Sequence, residues 1–165
     1  MATATYIPIA TQTLGSAAAS ITFSSIPGTY TDLRLVLTSV VSVNNASGQL
    51  QFNSDTATNY SQVNLSGVGT IANSGNETSN NLINLNSQAA FSSTIPLSCT
   101  IDVFSYAGAT NKTSLISFIG DKNGAGSVEL FCGLWRSTAA ITSLTLSLNI
   151  AANFNTGTIA TLWGI

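Results

Sequence analysis

Ile141-Thr-Ser-Leu144-Thr-Leu146-Ser-Leu148-Asn-Ile150 is the stretch whose spacing decides the fold. Leu144, Leu146, Leu148 and Ile150 fall on every second position, with Thr145, Ser147 and Asn149 between them. Successive strand side chains point to opposite faces, so this spacing gathers the aliphatic residues on one face. A helical stripe would need a period of 3.6 residues. The run predicts the longest strand of the chain, over 141–150.

The same period recurs outward from it. Leu33-Arg-Leu35-Val-Leu37 places three leucines on one side, and Cys99, Ile101 and Val103 alternate with Thr100 and Asp102. Ile21–Phe23, Leu50–Phe52, Tyr60–Leu65, Asn81–Asn86, Thr113–Ile119, Val128–Trp135 and Thr158–Ile165 add further strands. Asn123-Gly124 between two apolar runs signals a hairpin. Gly67–Asn81, rich in Gly and Asn, reads as a long mobile surface loop. Residues 16–20, Ser-Ala-Ala-Ala-Ser, are the best helical fragment and too short to stand alone. Residues 1–19, with Pro8 and Gly15, read as an extended N-terminal arm ahead of one domain over 20–165. Eight or nine strands without a convincing helix predict an all-β, antiparallel β-sandwich of jelly-roll type. The expected core holds Leu33, Leu35, Leu37, Ile101, Val103, Leu144, Leu146 and Leu148.

Composition bounds the chemistry. The chain of 165 residues is 6% charged and has no histidine, where an average protein is roughly 25% charged. Catalytic acid–base and nucleophilic work leans on histidine, paired carboxylates and activated lysines. A Ser–Lys pair has only Lys112 and Lys122 to draw on, both in polar, turn-like segments that would keep them solvated. The six acids, Asp32, Asp55, Glu77, Asp102, Asp121 and Glu129, could meet in space as glycosidase carboxylates do. Asp102 and Glu129 read more simply as outward-facing strand residues. Asp121–Gly126 opens like a calcium loop, but Ala125 and Cys132 stand where ligands are needed, so a hairpin turn is expected. No enzyme activity, cofactor or metal is expected. Cys99 and Cys132 read as two buried free thiols.

Four Lys and Arg against six acids leave no basic patch for nucleic acid. No apolar run reaches the ~18–20 residues of a membrane helix, and no signal peptide opens the chain, so synthesis in the cytoplasm is expected. In the arm, Tyr6, Ile7, Ile9 and Leu14 are the sizeable apolar side chains. Spaced along extended sequence, they are candidates for contact with a neighbouring subunit or a larger assembly. Asp55, Asn59 and Tyr60 combine an aromatic ring with carboxylate and amide groups, which is sugar-binding chemistry. Their alternative is a turn whose side chains bond its own backbone.

Three segments carry a resemblance. Phe23-Ser-Ser-Ile-Pro-Gly-Thr-Tyr30-Thr-Asp-Leu-Arg-Leu35, Phe52-Asn-Ser-Asp55-Thr-Ala-Thr-Asn-Tyr60-Ser, and the terminal Leu162-Trp-Gly-Ile165 are similar to segments of virion structural proteins of tailed bacteriophages. The resemblance runs from about residue 20 to the end. It implies a jelly-roll sandwich in a homotrimer and transfers no catalytic residue. A compact domain with an arm favours a capsid decoration, or cement, protein on the virion's capsid surface, with the major capsid protein as partner. The alternative it leaves is a tail-fibre or receptor-binding tip that recognises host glycan through Asn59, Tyr60 and residues 67–81.

Overall fold

The computed structural model describes residues 5–88 and 91–165. They form twelve strands and no helix: β1 Ile7–Thr13, β2 Ser20–Phe23, β3 Leu33–Ser39, β4 Gly48–Phe52, β5 Tyr60–Val68, β6 Ile71–Asn80, β7 Ile83–Asn84, β8 Leu97–Phe104, β9 Lys112–Gly120, β10 Ser127–Trp135, β11 Leu144–Leu148 and β12 Ile159–Gly164. Every pairing is antiparallel. One sheet has eight strands in the order β1-β12-β3-β8-β9-β10-β5-β6, the other four in the order β2-β11-β4-β7.

This order is a jelly roll. Four pairs are nested along the chain, β1 with β12, β2 with β11, β3 with β8 and β4 with β7, and the members of each pair are sheet neighbours. Rolling such a nested ladder places alternate pairs in two facing sheets, 1-12-3-8 over 2-11-4-7. Two hairpins are inserted, β5–β6 between β4 and β7 and β9–β10 between β8 and β11. Both join the larger sheet and widen it beyond its facing partner.

The inward residues are the ones the alternation picked. Leu33, Leu35, Leu37, Ile101, Val103, Leu144 and Leu146 are buried between the sheets. Phe91, Phe118 and Phe154 meet edge to face at their centre. Leu148 is only half-buried and Ile150 is exposed, because β11 ends at Leu148 where the smaller sheet ends. The longest strand is instead β6, within the segment expected as a mobile loop. It is an edge strand exposed on both faces. Hydrogen bonding to β5 from Val68–Ile71 to Tyr60–Asn80 pairs one row of its backbone groups without apolar side chains.

The arm is part of the sheet. β1 pairs with β12 from Ile7–Gly164 to Thr13–Ile159, with a bulge at Pro8–Ala10, and Leu14 continues the ladder to Thr158. Ile9 and Leu14 pack on the domain's own core.

The chain ends where it closes. The Ile165 carbonyl accepts the Thr31 and Asp32 amides, and the Ile165 amide donates to Asp32. Gly164 lies under the Tyr30 ring, where an added Cβ would stand 2.3–2.5 Å from ring carbons. The segments 23–35 and 162–165 singled out in the sequence therefore meet here as packing. We expect Gly164→Ala to destabilise the fold by about 1–3 kcal/mol, as overpacking does. In a double-mutant cycle measured by chemical denaturation, Tyr30→Ala should relieve most of that penalty; strictly additive effects would show that the ring is not the obstacle.

Candidate functional site

The sugar-binding candidates sit in the β4–β5 turn, and the structure uses them internally. Tyr60 is 0% exposed. It stacks on Trp135 at 6.2 Å between ring centroids, beside Phe52. Its hydroxyl accepts from the Phe52 amide at 3.0 Å and donates to the Phe52 carbonyl at 3.2 Å. Burial pushes the phenol's pKa up to about 12. A ring in this position has no face to offer a sugar, which corrects the expectation for Tyr60.

Asp55 accepts three bonds, from Asn59 Nδ2 at 2.9 Å, from Trp135 Nε1 at 2.7 Å and from the Ala57 amide at 2.9 Å. The Asn59 amide, then the indole, then the backbone N–H hold its pKa below the usual carboxylate value. Asn59 and Asp55 thus bond each other and the turn, the bland alternative of the sequence reading. Their job is to fasten the turn to the indole of β10, 80 residues away.

Other polar residues are also structural. Lys112 is 0% exposed rather than solvated; its ammonium donates to the carbonyls of Gly108 at 2.6 Å and of Thr110, closing the β8–β9 loop. Burial lowers its pKa. Glu129 points inward rather than outward, because it shares the parity of Phe131. Its carboxylate receives the Ser87 amide at 2.7 Å, the Gln88 amide at 3.0 Å and the Ser87 and Ser127 hydroxyls at 2.9 Å, tying down the segment after β7. Asp102 lies on the outer face and holds Arg34 through two bonds of 2.5 and 2.7 Å. Tyr6 sits over that guanidinium, 5.4 Å from ring centroid to Cζ, and its hydroxyl accepts from Arg34 at 2.9 Å. Among the arm candidates Tyr6 and Ile7 remain substantially exposed, while Ile9 and Leu14 are half-buried. Asp121 accepts the Gly124 amide at 2.6 Å within the β9–β10 turn. Among the described residues no group of three or more His, Cys, Asp or Glu gathers in a way that could hold a metal ion.

One surface without a structural explanation is the outer face of the widened sheet. Three cross-strand rows traverse β6, β5, β10 and β9: Ala72–Gly67–Val128–Ile119, Ser74–Leu65–Leu130–Ser117, and Asn76–Val63–Cys132–Leu115. No Asp, Glu, Lys or Arg occurs in them. Val63, Leu65, Ile119, Val128 and Leu130 are exposed. Cys99 is buried as expected, whereas Cys132 lies exposed in this face, opposite in parity to Glu129 and Phe131. Antiparallel sheets with one solvated face place polar residues there; this one places Val, Leu and Ile. The sequence carried the signal, since Val128, Leu130, Cys132 and Leu134 share one parity of β10 and Phe131 and Trp135 the other, but read alone it marked only an apolar strand.

No family model matches the chain, and no curated protein matches it. Among solved structures it is similar to the galectin LEC-6 of Caenorhabditis elegans, at 11% identity and a TM-score of 0.39, over 94% of this chain and 96% of that one.

The Asp55 bonds fix a pH dependence. A carboxylate whose pKa is depressed by folding contributes stability above its unfolded pKa, roughly 4, and loses it as pH falls through the folded value. Asp55→Ala should cost about 1–3 kcal/mol at neutral pH by orphaning the indole N–H. Denaturation curves of the two proteins should converge on acidification below about pH 4. A gap that stays constant across that range would mean that the charge of Asp55 contributes nothing.

Proposed function

We propose that this chain is a non-enzymatic structural subunit of a virion, a capsid decoration protein held on the outer capsid surface by contact with the major capsid protein. The observation that carries this reading is the uncharged, apolar outer face of β5, β9 and β10, a surface suited to burial between subunits of an assembly, while the exposed Tyr6 and Ile7 of the arm are what would meet the capsid. Burying such a surface against protein is favourable, at about 25 cal/mol per Å². It costs little polar desolvation, because its polar members are Ser, Asn and Thr rather than ions. Contiguous exposed apolar patches of this kind mark interaction surfaces.

Two further observations support it. The segments that resemble virion proteins do packing work here, Tyr30 against Gly164 and Asp55 with Tyr60 around Trp135. That is what a shared scaffold without shared chemistry requires. The arm also leaves Tyr6 and Ile7 partly uncovered at the sheet's other edge, available to a lattice neighbour. The receptor-tip alternative relied on Asn59, Tyr60 and residues 67–81; the turn and the core consume the first two, which leaves it only the exposed strand β6.

The test uses capsids of the phage that encodes the chain, assembled without this gene. Purified protein should co-sediment with them and raise their resistance to heat. The paired substitution Tyr6→Ala, Ile7→Asp should weaken that attachment while leaving the β-sheet circular-dichroism spectrum intact. It is a cleaner probe than deleting the arm, which would also uncover β12. Protein that ignores capsids but adsorbs to host cells would replace this reading with the receptor-tip one.

A further inference from the structure

The apolar outer face needs an occupant, and we propose that it is the same face of a second copy of this chain, packed sheet on sheet about a two-fold axis that passes near β5 and β10. The inference rests on the structural-subunit reading above and names the partner of that surface.

Three properties of the face point to a copy of itself. The first is charge. The rows across β6, β5, β10 and β9 hold no ionised side chain; Asp102 on β8, which continues one row, is already paired with Arg34, and Glu77 and Asp121 lie only at the margins of the face. A partner with charges at its centre would lose hydration there and find nothing to bond. A surface of the same composition loses almost none, and a chain that is 6% charged with net charge −2 has little self-repulsion to overcome.

The second is area. β5, β9 and β10 have nine residues each and β6 has ten. At about 4.8 Å between strands and 3.4 Å per residue, four strands cover about 19 by 31 Å, or about 600 Å². Two copies would bury about 1,200 Å², the lower end of specific, stable interfaces.

The third is arrangement. Val128 is 66% exposed, Leu65 58% and Val63 54%, and they surround Leu130 and Cys132. Ser61, Ser74, Asn76, Ser117 and Thr113 lie around them. An apolar centre with an uncharged polar rim is how interfaces are built. A two-fold contact places this centre on its own copy and covers both at once. The trimer implied by the bacteriophage resemblance would instead need a second, different patch complementary to this one. Small residues at Gly67, Ala72 and Ser117 let the two sheets approach to the ~10 Å of ordinary face-to-face packing.

Light scattering at micromolar concentration should give the mass of two chains. Leu65→Asp with Val128→Asp, both outward and well exposed, should weaken association by roughly a hundredfold or more, since each aspartate would be desolvated without a partner. The variant should be monomeric with an unchanged circular-dichroism spectrum. Thr38→Asp, on the same outer face but on β3, should remain a dimer. Cys99 is buried, so maleimide labelling reports Cys132. The labelling rate of the unmodified chain should fall as its concentration rises, a readout that survives even if the double variant misfolds. A monomer, a trimer, a charged double variant that still pairs, or a labelling rate independent of concentration would each overturn the inference. A monomer that loses capsid attachment when Leu65 and Val128 are charged would keep the decoration reading and assign this face to the capsid. A dimer that forms through this face but never binds capsids would keep the inference and remove that reading.

Discussion

The hydrogen-bonded position of β12 is the constraint on which the rest depends. The last strand lies between the first and the third, so the larger sheet is incomplete until residues 159–164 are in place. Closing it joins segments more than 100 residues apart, and the loop entropy of such contacts must be met before they stabilise anything. What secures the closure is local to its end. Ile165 exchanges backbone bonds with Asp32, and Gly164 lets Tyr30 lie flat on the chain. Residues with no chemistry to perform are fixed there by geometry alone.

With so few ionisable groups, several are put to structural use. Asp55 fastens the β4–β5 turn to Trp135, Glu129 holds the segment after β7, Lys112 closes the β8–β9 loop, and Arg34 with Asp102 crosses the outer face between β3 and β8. Three of these reach between elements far apart in the chain. A buried charge without partners would be costly; Arg34 and Asp102 partner each other, and the rest are held by amides, carbonyls, hydroxyls and an indole rather than by opposite charges. This is how a sandwich with a neutral surface keeps its loops ordered while leaving no cluster of reactive groups.

The inserted hairpins connect that economy to function. β5–β6 and β9–β10 widen one sheet to eight strands while the facing sheet stays at four. Their inner side chains join the core or bond the loops across it. Their outer side chains, Val63, Leu65, Ile119, Val128 and Leu130, have no layer of the described residues above them. The apolar surface follows from adding strands to a jelly roll without adding a covering layer.

Much of this was legible in the sequence. Period-two alternation identified the inward leucines of β3 and β11 and the Cys99–Ile101–Val103 face, because the pleat fixes parity over a strand whatever lies beside it. Paucity of charge and the absence of histidine pointed away from catalysis for reasons that hold in any fold. Three kinds of fact needed the tertiary structure. Gly67–Asn81 looked like a loop because an edge strand needs only one row of backbone bonds and no apolar side chain; β5 supplies that row. Tyr60 looked available to a sugar because nothing local shows that Trp135, 75 positions on (135 − 60), stacks on it. Glu129 looked outward-facing and Cys132 looked buried; parity shows that the two faces of β10 differ but not which of them another layer covers. The sequence by itself determined which side chains share a face, since backbone geometry acts over one or two residues. Only the tertiary structure decided what each face meets, since that depends on contacts made across the whole chain.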